Sequence, residues 1–533
     1  MNTLSEDRGT GKQPALAFSC LARRGVALML VLCISACTLG PDYHTPLVQI
    51  PDGFKEGAHW QRAQANPQGS LSGTWWREYH DETLTQLVET SLKANQSIVA
   101  AEAAYRLALA IVQANTASLF PIVTAGASAS RSGTGAAAAA SGGNGGNGSD
   151  FAAVRNNVSV SVAASWEVDL WGSIRREIES AKESAQATDA QLAGERLSIA
   201  ASVAVDYFQL RQADIDIRSL KQQQDIDDRI LDMTRATFLQ GEASNDQVLA
   251  AQDTLEQVVA TLQATQTTRE QDEHAIAVLT GVPPANFTLP PDPSYAFVLP
   301  DVPLELPSQL LERRYDVVSA ERTAAAANAK IGVAEAAFFP TLTLSAEGGF
   351  QHNALAHLFS LPSRFWTLGP DLAATIFDAG ARTAALHEAQ ATYDDEAALY
   401  RNTVLTAFQS VEDSLSSVNH LRQQTQAFAN IFQRNQQLFT SEKAQFRTGV
   451  ASEQDLLTQQ LTLIQAHQNL NDSQALLIEN SVTLIKNLGG GWQWKDSQSG
   501  KKQGDDKRAR AAGSDLPSGA KSVLREAATA PPD

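Results

Sequence analysis

Residues 449–457 read GVASEQDLL and residues 241–249 read GEASNDQVL. Each stretch interrupts a very long run of helical character, and the two share glycine, alanine, serine and leucine at the same places. Glycine takes the left-handed conformation that ends a helix, and serine caps the first turn of the next. Both stretches therefore read as hairpin turns. Gly241 and Gly449 close one helix, and Ser244 and Ser452 open another.

The flanking sequence sets the size of these hairpins. No proline occurs between Pro121 and Pro283, and none between Pro370 and Pro517. The runs from Ser173 to Gln240 and from Ala381 to Thr448 are rich in good helix formers, with only Gly194 as an interruption. At 1.5 Å rise per residue, about 68 residues make a helix roughly 100 Å long, too long for the core of an ordinary globule. Leu399, Val404, Leu405, Phe408, Val411 and Leu415 recur at three and four spacing. That is a stripe on one face, so these helices are expected to pack laterally in coiled-coil fashion.

An internal duplication appears by subtraction. Phe238 and Phe446, Gly241 and Gly449, Ser244 and Ser452, Leu249 and Leu457, and Gly172 and Gly380 all differ by 208. Upstream the offset becomes 219, pairing Leu92 with Leu311, Glu102 with Glu321, and Phe120 and Pro121 with Phe339 and Pro340. The first copy thus carries about 11 extra residues, which fall in the Gly-, Ala- and Ser-rich stretch from Ser132 to Asp150, a flexible loop by composition. After each Phe-Pro pair the period changes to two. Val158, Val160, Val162, Ala164 and Trp166 alternate with polar or small residues, as do Leu342, Leu344 and Ala346. Strands are expected at 122–131, 154–168, 341–351 and 365–377, each with an apolar and a polar face. Four strands leave open edges and are too few to close a barrel, so closure requires other subunits.

Composition narrows the class. The chain has 533 residues, 43% of them hydrophobic, and a net charge of -18; its mean hydropathy is -0.21. The charge argues against nucleic acid as a partner, and no apolar run after the N-terminus approaches the roughly 20 residues of a membrane helix. All three cysteines, Cys20, Cys33 and Cys37, lie near the N-terminus, so no disulfide framework ties the remainder. Arg23 and Arg24 precede an apolar run that ends Ile34, Ser35, Ala36, Cys37. This has the form of a secretory signal ending in a bacterial lipobox, with lipid expected on Cys37 after cleavage. The resulting division is a signal at 1–36, a lipidated segment at 37–80, repeats at 81–290 and 304–490, and a disordered tail at 496–533.

The blocks CTLGPDYHTP, TWWREYHDETL, LLERRYDVVSAERTAAAANAKIGVAEAAFFPTLTL and both glycine turns carry a family likeness. The sequence resembles the TolC-type outer-membrane factors, in particular the lipidated branch that includes NodT and OprM. It departs at Tyr315, where that family usually has proline. The resemblance implies a mixed α and β fold: a homotrimer whose duplicated helical hairpins form an α-helical barrel, continued by a twelve-stranded transmembrane β-barrel with four strands per subunit. It further implies an outer-membrane exit duct working with a periplasmic adaptor and an inner-membrane pump of the RND type. The adaptor would dock at the turns holding Gly241, Ser244, Gly449 and Ser452. In that family, carboxylates just after the second turn ring the narrowed periplasmic end; Asp455 matches one such position and Thr458 occupies the other. The first copy has Asp246 and Gln247 near the corresponding place. The other reading of these acids is as solvated first-turn residues favoured by the helix dipole.

Other signals carry no chemistry. GNGGNG at 143–148 satisfies GxGxxG but lacks the strand, helix and acid of a dinucleotide site. His387, His420 and His467 show no metal-ligand spacing, and no nucleophile elbow occurs. No catalysis and no cofactor other than the lipid on Cys37 is expected. The rival to the duct is a non-conducting trimeric lipoprotein that spans the periplasm as a scaffold, but a tether needs neither alternating strands nor hairpins.

Overall fold

The computed structural model describes residues 38–51, 53–56, 73–133, 154–300 and 314–491. Cys37, most of the loop from Ser132 to Asp150, the GNGGNG run and the C-terminal tail lie outside them. Among the described residues, seven α-helices and four strands follow in the order α1 (Glu82–Ala94), α2 (Gln96–Ala117), β1 (Ile122–Gly133), β2 (Val154–Val168), α3 (Ser173–Leu239), α4 (Asn245–Leu279), α5 (Tyr315–Ala336), β3 (Thr341–His352), β4 (Arg364–Ala373), α6 (Ala381–Arg447) and α7 (Glu453–Asn487). The duplication is written in the lengths. α2 and α5 both have 22 residues, α3 and α6 both have 67, and α4 and α7 both have 35. Gly194 sits inside α3 without breaking it.

The residues fall into two compact units, and neither coincides with a repeat. One takes in the described residues of 1–49, 92–196 and 319–407; the other takes in those of 50–91, 197–318 and 408–533. Each unit therefore draws on both copies.

The first unit holds the sheet, an antiparallel meander in the order β1-β2-β3-β4. Its register aligns side chains of one kind across all four strands. Val123 pairs with Ala164, which pairs with Ala346 and then Leu368; Ala125, Val162, Gly348 and Trp366 form the next row. The opposite face carries Ser128 beside Ser159, Glu347 beside Thr367, and the row Glu167, Thr343, Asp371. Alternation along each strand puts all members of a row on one face. β4 stops at Ala373, short of the expected 377, because Ala373 is the last residue with a partner, Thr341. Residue 340 before it is proline, which cannot donate to a ladder. α3 and α5 are joined by Arg322 to Glu183 and Lys330 to Glu177, and both helices bury alanines, including Ala181, Ala185, Ala190, Ala324, Ala325 and Ala329. Such short side chains allow close helix approach.

One expectation needs correcting in this unit. Among the described residues α2 is long and apolar enough to cross a membrane by length and composition, with mean hydropathy 1.3. Alanine raises that mean, while Glu102 and Arg106 interrupt any strictly apolar run. Glu102 accepts from Arg196 of α3 at 2.6 Å, which seats α2 against a helix of its own unit.

The second unit is centred on an aromatic cluster. Trp75, Tyr79, Tyr207 and Phe208 are almost wholly buried, and Tyr207 and Tyr295 both donate to Asp81 Oδ2, at 2.7 and 3.0 Å. Arg211 and Arg269 converge on Asp214 and also donate to the carbonyls of Pro290 and Leu289. This knot fastens the chain that follows α4 onto α3. Tyr315 is the first residue of α5. A proline is tolerated at that position too, so the departure from the family pattern leaves the helix start intact.

Candidate functional site at the hairpin tips

Both tips are built alike, from the backbone outward. Gly241 has φ 81° and Gly449 has φ 76°, a region where glycine carries no steric penalty. The amide of Gly241 donates to Phe238 O at 2.9 Å and that of Glu242 to Thr237 O at 3.0 Å. In the second copy Gly449 donates to Phe446 O at 3.1 Å and Val450 to Gln445 O at 3.0 Å. This pair of bonds is the Schellman closure, which satisfies the last carbonyls of α3 and α6.

Serine then opens the return helices. Ser244 Oγ accepts from the Gln247 amide at 3.2 Å, and Gln247 Oε1 accepts from the Ser244 amide at 2.8 Å. Ser452 Oγ accepts from the Asp455 amide at 3.1 Å, and Asp455 Oδ2 accepts from both the amide and the hydroxyl of Ser452, at 3.1 and 2.6 Å. These are reciprocal capping boxes. Gln247 and Asp455 are thus counterparts, one neutral and one charged. Hydrogen bonding from Ser452 holds the Asp455 carboxyl below its ordinary range, so it stays ionised at the start of α7, where the helix dipole favours negative charge. Asp246 lies in the first turn of α4. Thr458 donates back to Gln454 O at 2.8 Å and so makes a bond within its own helix.

Residues far apart in sequence also meet in this unit. Arg229 of α3 grips Glu453 of α7 through both carboxylate oxygens, at 2.9 and 3.3 Å. This pair joins one copy to the other beside the second turn, and no sequence spacing announces it. Higher on α3, Asp216 and Asp472 line a cavity of about 410 Å³ whose other walls are mainly Gln and Thr of α3, α4 and α7. Burial, then the charge of Asp472, pushes Asp216 up to about 7. Burial with Asp272 and Glu479 raises Asp206 to about 6.

The outer membrane efflux protein family matches residues 87–282 and 306–490, the two repeats. The chain belongs to that family. The probable efflux pump outer membrane protein TtgC of Pseudomonas putida is 30% identical over 470 residues, 87% of this chain and 95% of the relative. Outer membrane protein OprJ of Pseudomonas aeruginosa is 28% identical over 488 residues, covering 87% and 95%. Among solved structures, the outer-membrane channel OprN superposes with TM-score 0.74 at 28% identity, covering 86% of this chain and all of that one. The open-state MtrE channel of Neisseria gonorrhoeae gives TM-score 0.71 at 27% identity, covering 86% and 99%. The chain thus has the TolC-like channel fold, and it is an outer-membrane efflux component. These likenesses favour the duct over the tether.

Proposed function

We propose that three copies of this chain close into a passive, non-catalytic exit duct, the outer-membrane part of a tripartite assembly. A periplasmic adaptor docks on the tips around Gly241, Ser244, Gly449 and Ser452, an RND-type inner-membrane pump supplies the energy, and Cys37 carries the lipid. The observation that carries this reading is the sheet. One of its faces is apolar in register and the other polar, while β1 and β4 each have one unpaired edge. Lipid on one side, water on the other and edges satisfied only by neighbouring copies are the conditions of a membrane β-barrel. The efflux-pump names of the relatives support the same assembly.

Within that duct Asp455 is the selectivity residue of the periplasmic aperture, with Thr458, Asp246 and Gln247 beside it. Its carboxylate is ionised and sits at the first turn past the second tip, where a ring of negative charge favours cations. Single-channel recording in planar bilayers tests this. Asp455→Asn keeps a capping side chain and removes the charge, so cation selectivity should fall while the assembly keeps its thermal midpoint. Selectivity equal to wild type would remove Asp455 from the aperture, and a reconstituted trimer that never conducts would remove the duct.

A further inference from the structure

The first described residues, Thr38 to Asp42, are not loose. They lie in a seat made by the start of α3 and the second half of α5, within one compact unit. Leu39 N donates to Trp171 O at 3.1 Å. Arg176, of which only 4% is exposed, donates to Leu39 O at 3.0 Å, Gly40 O at 3.1 Å and Asp42 Oδ1 at 2.9 Å. Asn328 Nδ2 donates to Pro41 O at 2.9 Å. Gly332 completes the seat by having no side chain: a Cβ there would come within 2.7 Å of Leu39 O and 2.9 Å of Arg176 Cγ. Arg176 also donates to Glu179 Oε2 of its own helix at 2.9 Å, but its remaining buried donors go to three groups of this one short segment, and leaving them unmet is costly. The seat is therefore specific for this segment, and it joins α3 of the first copy to α5 of the second.

The same level of the fold bears an aromatic band. Phe120, Trp166, Phe338, Phe339 and Phe377 flank the helix-proximal ends of the strands, and all are exposed at their surfaces. Trp166 Nε1 donates to Leu119 O at 2.9 Å, and Trp171 Nε1 to Pro340 O at 2.8 Å. Apolar ring bodies with their N–H groups satisfied are what the boundary between hydrocarbon and headgroups selects. Trp171 belongs to both features, since its carbonyl takes Leu39 and its ring packs 4.7 Å from that of Phe339.

We propose that this seat is a positioning device for the N-terminus: it fixes Thr38 in the headgroup layer of the inner leaflet, at the plane of the aromatic band. Arg176, Asn328 and Gly332 are its positioning residues. The inference rests on the membrane duct reading but not on lipidation, because the seat grips Leu39 to Asp42 by protein contacts alone. A lipid on the preceding residue then enters the bilayer at the foot of the sheet.

Depth-dependent quenching tests it. A bimane label on Thr38→Cys, in full-length protein reconstituted into phosphatidylcholine vesicles, should be quenched most by lipids brominated near the headgroup. The pattern should persist with Cys37→Ser behind a cleaved non-lipoprotein signal, and in that lipid-free background vanish with Gly332→Val. Should Gly332→Val fail to fold, Arg176→Gln, which keeps side-chain length and loses the charge, should weaken the quenching instead. A parent that floats with the vesicles yet is unquenched, or quenching lost with Cys37→Ser yet kept in both seat variants, would overturn the proposal; a parent that does not float with them overturns the duct reading instead. Mass spectrometry of the N-terminus reads lipidation separately: an unmodified Cys37 with the quenching pattern intact removes the lipid and leaves the seat.

Discussion

At the scale of single residues, the two tips form a built-in comparison. Both use serine caps, but the returning acceptor is Gln247 in one and Asp455 in the other. Ser452→Ala should loosen the second tip by about 1 kcal/mol, the usual loss on removing an N-cap, read as faster amide exchange in the first turns of α7. Acid should act on the same tip alone. The Asp455 carboxyl is lowered relative to the unfolded chain, so its capping contribution is complete above the ordinary carboxylate range and is lost as pH falls through the lowered value. A spin label beside the second turn should gain mobility below that range and one beside the first should not; Asp455→Asn should abolish the difference. Asp216 has the opposite sign. Its folded value, about 7, lies above the ordinary 3.8 of an aspartate, so ionising it costs stability as pH rises between the two. Asp216→Asn should raise the thermal midpoint at pH 7, by about 2–4 °C per kcal/mol recovered, and leave it unchanged near pH 4.

Elements show a different balance between pattern and contact. Alternation places Val162 and Ala164 on one face of β2, and Leu344 and Ala346 on one face of β3, before any pairing is known. Which residues stand side by side, and that β4 ends at Ala373, depended on the ladder. Leu368 and Thr367 are adjacent in β4 and face opposite ways. Leu368→Arg should oppose insertion by about 2–4 kcal/mol if it lies near the bilayer midplane, whereas Thr367→Arg should insert normally and shift ion selectivity. Fractionation of the two variants between membrane and aggregate checks this. The tips were legible because glycine and serine act locally. The Arg229–Glu453 pair was not, since its partners lie 224 residues apart and are joined only by the packing of α3 on α7.

For the whole molecule, the unpaired edges of β1 and β4 set the oligomeric expectation. Three copies give twelve strands, a closed sheet without edges. Native mass spectrometry in detergent should find three chains, and Pro substitutions along β1 should yield single chains instead, because the missing donors leave that seam open. By itself the sequence determined the duplication, the hairpin turns, the helix lengths and the two-faced strands. All of these follow from short-range preferences: proline exclusion, the left-handed freedom of glycine, serine capping, and side-chain period. Only the tertiary structure decided that the compact units cut across the repeats, that Asp216 faces Asp472, that Arg229 reaches Glu453, and that the N-terminal segment lies in a seat shaped by Gly332 and Arg176. Those facts arise where long-range packing brings distant residues into contact, and no periodicity along a chain encodes which distant partner a buried charge will find.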